Sequence, residues 1–369
     1  MKKYFLLLLL AAFTNIFAQK NLNLLIGTYT TPCESKGIYV YDFNPETAEF
    51  KLKNTTEKIV NPSYLSVSPD NKFVYSVNES GKESTISAFK FNAKSGKLDL
   101  LNKQNSKGAD PCYLINDSKN VIAANYSGGT ISVFKRKSDG SLAEASQVIQ
   151  HEGKSINTKR QESAHVHMVK FSPDKKFVLA NDLGTDRIYV YQYHPDSDKE
   201  ILKFKDTIAI KTGSGPRHLT FSNDGKFIYL LQELDGTLTV FAYNDGKFRK
   251  IQETTVVQNQ FKGENSAAAI QISEDNKFLY ATNRGEANTI SVFEINAKGK
   301  LAHKQTISTN GKGPRDFTIV PGGKFVLVAH QYTNDVVIFK RDQTSGELTD
   351  SGKKIQLCAP VNLIFTKAE

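Results

Sequence analysis

One short phrase recurs down nearly the whole chain and limits what it can fold into. The turn Ser-Pro-Asp-Asn-Lys-Phe at Ser68 to Phe73 returns as Ser172 to Phe177, Ser222 to Phe227 and Ser273 to Phe278. Val320 to Phe325 is a looser copy and Asn116 to Asn120 a shortened one. About a dozen residues after each turn, a run of β-branched residues closes on an aromatic: Phe89, Phe134, Tyr191, Phe241, Phe293 and Phe339. A seventh such run, Gly37-Ile38-Tyr39-Val40-Tyr41, stands near the N-terminus with no turn before it. Repeats of this length belong to solenoids, propellers or arrays.

Each repeat reads as four short strands, with period-2 alternation and Gly, Asn or Asp at the turns. The repeats start at Pro62, Pro111, Val166, Pro216, Ala267, Pro314 and Pro360, so successive spacings are 49, 55, 50, 51, 47 and 46 residues. That suits the four-stranded blade of a β-propeller. The seventh start, Pro360 to Phe365, has room for one strand before the chain ends. Its missing partners are Asn23 to Tyr29 and Ile38 to Phe43. The expected fold is therefore all-β, a seven-bladed β-propeller whose last blade is closed by strands from both termini. Closure of that kind removes exposed sheet edges.

Residues 1–18 read as a signal peptide, and 19–369 as a single propeller domain. Lys2 and Lys3 precede the apolar run Phe5 to Ala12, and Ile16-Phe17-Ala18 ends on a small residue before Gln19, the order of a secretory leader. The run is too short to span a bilayer, which takes about 20 residues. The mature chain is expected to be exported, periplasmic or secreted, without a membrane span. Cys33, Cys112 and Cys358 are odd in number and fall in different repeats; buried thiols rather than a disulfide framework are expected.

The formal charge of +10 raises the question of a nucleic-acid partner, but its distribution speaks against one. Lys72, Lys119, Lys176, Lys226, Lys277 and Lys324 fall in the same turn of successive repeats, which spreads the charge round a ring. No Arg-rich stripe with exposed aromatics is present. The expected partner is a small molecule.

Repetition also gives a way to find a site, because packing positions should match between repeats and functional positions should differ. The residue after each start is Ser63, Cys112, His167, Arg217, Ala268, Arg315 and Val361. The second strands end at Asn78-Glu79, Asp182, Gln232-Glu233, Asn283-Arg284 and His330-Gln331. His165, His218 and Asp316 flank the first set. Antiparallel pairing brings all these positions to one mouth of the central channel. Like charges gathered there are costly unless carboxylates or an anionic ligand compensate. Arg217 and Arg315 also suit salt bridges between blades, and Glu233 a partner for a neighbouring arginine. His165 and His167 share a strand face, which a metal would accept, but no third ligand stands at recognisable spacing. Neither metal nor cofactor is expected.

At these residues the chain resembles the lactonase seven-bladed propeller family, which includes bacterial 6-phosphogluconolactonases and fungal carboxy-cis,cis-muconate cyclases. The resemblance covers nearly the whole mature chain. It runs through Ile26-Gly27-Thr28-Tyr29-Thr30, Asn125-Tyr126-Ser127-Gly128-Gly129 and Gln161-Glu162-Ser163-Ala164-His165-Val166-His167. It continues in Asp182-Leu183-Gly184-Thr185-Asp186, Gly215-Pro216-Arg217-His218, Asn283-Arg284-Gly285 and Pro314-Arg315-Asp316-Phe317. It implies that one histidine of the His165-Val166-His167 segment, Glu233, Arg217 and Arg284 correspond to the acid/base and anion-binding residues proposed for the family. The family commonly follows Asn-Arg-Gly with a His and an acidic residue, whereas Glu286-Ala287-Asn288 follows here.

On that resemblance the expected activity is hydrolysis of a sugar lactone, like that of a 6-phosphogluconolactonase. Such a reaction needs a base for water, charge stabilisation at the carbonyl oxygen and a proton for the leaving alkoxide. Glu233, His167 and His165 are the candidate catalytic residues, with Glu233 or His167 as the base. Arg217, Arg284, Arg315, His218 and Asp182 are the candidates for binding a lactone or sugar acid. The alternatives are a cycloisomerase and a noncatalytic binding propeller. Export sits awkwardly with a phosphorylated sugar lactone, a cytoplasmic metabolite, and leaves a nonphosphorylated aldono- or uronolactone equally open.

Overall fold

A computed structural model of the chain describes residues 21–31 and 33–369; the leader read at residues 1–18 lies outside them. Among the described residues, 28 strands form seven four-stranded antiparallel sheets. Six are meanders in chain order. In the seventh, the C-terminal strand Pro360–Lys367 is innermost, followed by Leu22–Thr28, Ile38–Phe43 and Phe50–Thr55. Leu24 faces Phe365 and Ile26 faces Leu363 across the closing pair. The seven-bladed ring closed from both ends is thus observed.

The repeats explain the fold locally. In the turns the serine hydroxyl accepts the N–H of the phenylalanine five residues on, at 2.9 Å for Ser68 and Phe73 and 3.0 Å for Ser273 and Phe278. The same hydroxyl bonds the aspartate two residues on, at 2.5 Å for Ser273 and Asp275. These local bonds set the turn. The aromatic ends Phe89, Phe134, Tyr191, Phe241, Phe293 and Phe339 are all buried. Neighbouring blades meet where a turn glycine lies on a phenylalanine ring. A Cβ on Gly140 would come within 2.0 Å of the Phe73 ring, so that contact requires glycine.

Two expectations need correction. The first inner strand does not begin at Pro62 but covers only Leu65–Val67. Asn61 takes a left-handed φ of 38°, and its side chain accepts the Thr30 N–H and donates to the Glu79 carbonyl. The segment therefore leaves the ladder before Tyr64. Second, Cys33 and Cys358 form a disulfide with their Cα atoms 6.0 Å apart. They stand 325 residues apart, and ring closure brings them together. Cys112 is a buried free thiol.

Candidate active site at the channel mouth

The site rests on a defect repeated in the inner strands. Pairing of Pro111–Asn116 with the next strand skips from Pro111 to Tyr113, leaving Cys112 unpaired. The same bulge leaves His167 out between Val166 and Met168, Arg217 between Pro216 and His218, and Arg315 between Pro314 and Asp316. A bulge re-aims the extra residue's side chain. The column read as anomalous in the sequence is thus the bulge column. Glu79, Glu233 and Arg284 each follow directly on a second strand, respectively Phe73–Asn78, Phe227–Gln232 and Phe278–Asn283. Backbone bonds fix all three: Glu79 N–H to the Asn61 carbonyl at 3.2 Å, Glu233 to Gly215 at 2.8 Å and Arg284 to Ser266 at 3.0 Å.

These two columns enclose a cavity of about 290 Å³, whose walls include Glu79, Cys112, His167, Glu233, Arg284 and Arg315. It is at the small end of ligand pockets, which run roughly 300–1,000 Å³. A larger open groove of about 990 Å³ lies by the disulfide, lined by residues such as Thr30, Lys36, Tyr39 and Glu57; it gathers no comparable set of buried charges.

Glu233 is the hub of one wall. Its Oε2 lies 3.0 Å from Arg217 Nε and 3.1 Å from Arg284 Nη2, and its Oε1 lies 2.5 Å from Arg160 Nη2. Burial alone would push this carboxyl up, but Arg284, Arg217 and Arg160 more than reverse that and hold it at about 2. Arg217 is completely enclosed. Burial and then Arg284 push its guanidinium down, and Glu233 offsets this only in part. Burial and the neighbouring Arg217 and Arg315 hold His167 well below the usual imidazole range, so its ring is neutral. Its Nε2 is 3.8 Å from Glu233 Oε2, and its Nδ1 is 3.7 Å from the Cys112 sulfur.

Across the cavity, Glu79 accepts hydrogen bonds from Ser63 Oγ and, at 2.9 Å, from Tyr29 Oη. Burial raises its carboxyl above the ordinary range, against the pull of Arg315, Ser63 and Tyr29. The Arg315 guanidinium lies 5.4 Å from the centre of the Tyr29 ring.

Four sequence candidates sit outside the cavity lining, among them Arg217, which is buried against Glu233. Asp182 is fully buried and its carboxylate is used internally: Oδ1 accepts the N–H groups of His165, Gly184 and Thr185, and Oδ2 bonds His151 at 2.8 Å. It braces the loop rather than facing a ligand. His165 stacks on Tyr126 at 4.6 Å and contacts Glu162, so it supports the wall through Tyr126. His218 packs against Arg217 at 3.3 Å and edge-on to His167 and Tyr113. Arg160 was missed, because it lies in the irregular stretch before Val166, outside the repeat columns. The 55-residue spacing of that repeat was the available signal of an insertion.

Residues 23–365 match the family described as Lactonase, 7-bladed beta-propeller. The chain belongs to that family. It is 32% identical over 345 residues to a 6-phosphogluconolactonase of Bacillus subtilis, covering 92% of this chain and 97% of that one. It is 34% identical over 330 residues to a 6-phosphogluconolactonase of Formosa agariphila, covering 88% and 93%. The solved structure of the periplasmic gluconolactonase of Pseudomonas aeruginosa superposes with a TM-score of 0.89 at 34% identity, over 95% of this chain and all of that one. For this lactonase-family propeller, the mouth described above supplies guanidinium groups, a neutral imidazole and two carboxylates in unlike environments.

Proposed function

We propose that this protein is an exported lactone hydrolase that opens a sugar lactone at the channel mouth. The observation that carries the assignment to this mouth is the gathering of four arginines round a small cavity with one uncharged imidazole. Lactone opening develops negative charge on the carbonyl oxygen, and prearranged donors there stabilise it; one such donor is worth about 10²–10³ in rate. Arg284 and Arg315 line the cavity and supply planar forks for an oxyanion or a substrate carboxylate. Glu233 keeps three of the arginines together by offsetting their mutual repulsion. Holding its own charge so firmly, it is a weak base. The leader at residues 1–18 and the likeness to a periplasmic gluconolactonase support export and favour a lactone without phosphate.

The test uses mature protein, residues 19–369, with glucono-δ-lactone and 6-phosphogluconolactone, each corrected for spontaneous opening. Acceleration of either lactone is expected, with the larger kcat/KM for the unphosphorylated one. No acceleration of either would overturn the reading.

A further inference from the structure

We propose that Glu79 is the carboxylate that takes the proton of the attacking water. The assignment rests on the lactone-hydrolase reading and names a proton acceptor within the same cavity. It starts from how differently the two glutamates that line that cavity are engaged. Both oxygens of Glu233 are occupied by guanidinium groups. On Glu79, both hydrogen bonds fall on Oε1. Among the described residues, no donor or cation engages its Oε2 within bonding distance. Tyr29 and Ser63 thus fix the group and leave one oxygen to accept.

The surroundings fit that task. Arg315 lies on the same wall and has no carboxylate within 4.0 Å among the described residues, so its charge is unspent. An acceptor for water and a free donor for an oxyanion therefore stand together. The charged groups acting on Glu79 are Arg315, from the sixth blade, and Asp110, from the loop before Pro111; Tyr29 reaches it from the seventh. Burial keeps the group easier to protonate than an exposed glutamate, which brings its basicity closer to working pH.

The step balances as a hydrolysis. Glu79 Oε2 removes a proton from water while the water oxygen bonds to the lactone carbonyl carbon, and the carbonyl oxygen takes up the negative charge beside Arg315. The bond from that carbon to the ring oxygen then breaks. The ring oxygen leaves with its electron pair and takes the proton back from Glu79, which yields the hydroxy acid and restores the carboxylate.

The experiment compares wild type, Glu79→Gln and Tyr29→Phe for gluconolactone opening across pH 4–8, with melting temperature as the folding control. Glu79→Gln keeps the shape and should lower kcat about 100-fold, with KM changed by less than about threefold. The acidic limb of kcat/KM should disappear with it. Tyr29→Phe removes a bond that favours the charged carboxylate, so it should move the acidic limb to higher pH and lower kcat by less than Glu79→Gln does. An active wild type with Glu79→Gln within threefold of it, or an acidic limb unmoved in both variants, would overturn the role of Glu79 alone. An inactive wild type would overturn the lactonase reading and this assignment with it.

Discussion

The two ends of the propeller are built from the same strands, yet one end repeats its chemistry and the other does not. At the hairpin end, Ser68, Ser172, Ser222 and Ser273 make the same bond to a phenylalanine N–H five residues on, at 2.9–3.0 Å. At the mouth, the equivalent bulge positions hold a thiol, an imidazole and two guanidinium groups. Where the chain needs only to turn and pack, four blades use one solution. Where a ligand must be held in one orientation, symmetry is a hindrance and the blades contribute unlike groups.

That contrast is broken most severely at Glu233. Glu233→Gln removes the charge that lets Arg160, Arg217 and Arg284 share one wall, and leaving buried charges without their partner costs about 3–5 kcal/mol. The variant should lose that much stability in chemical denaturation and at least about 100-fold in kcat/KM. The pH dependence has the same origin. The carboxyl sits at about 2 in the fold against an ordinary 4.5, so its contribution is complete above about pH 4.5 and is lost as pH falls toward 2. Wild type should therefore lose stability over that window, and the variant should show a smaller loss. A Glu233→Gln protein as stable as wild type would mean that the mouth is no more demanding than the hairpins.

The fold was legible because the repeat carries it: the turn serines mark four blades, the buried aromatic ends mark the others as well, and the missing strands of the last one could be counted. The mouth was legible in part. Arg217, Arg284, Arg315, His167 and Glu233 stood out as departures from their columns. Asp182 stood out equally but serves the loop, because a column shows that a residue is unusual and not whether its oxygens are already taken. Glu79 was placed at the mouth by the same column but given no role; its part emerges only when Tyr29, from the opposite end of the chain, is seen to bond it. The bulges that aim the site residues leave no mark in the sequence.

The disulfide is a second case of contact made by ring closure. Cys33 and Cys358 join the two chain ends at the mouth, while the hairpin end has no covalent link among the described residues. Reducing the bond, or replacing both cysteines by serine, should cost about 2–4 kcal/mol. Strand exchange should become faster at the pair Leu22–Thr28 and Pro360–Lys367 than in the other blades, as read by hydrogen exchange. Uniform loss of protection over all seven blades would show that the ring closes without help from this bond.

The smallest effect is expected at the repeated end, and it sharpens the comparison most cleanly. Ser273→Ala removes a hydroxyl that accepts the Phe278 N–H at 3.0 Å and bonds Asp275 at 2.5 Å. The serine is buried, so the Phe278 N–H loses that partner, at a cost of about 1–3 kcal/mol. The Cα of Ser273 stays in place, and Ala267 and Arg284 at the far end of the same strands keep their backbone bonds to Glu233 and Ser266. Lactone turnover at 25 °C should therefore stay within about twofold of wild type while the denaturation midpoint falls. If instead kcat/KM fell in step with stability, the two ends would be mechanically coupled through the blade, and the division between a repeated folding end and a diversified chemical end would not hold.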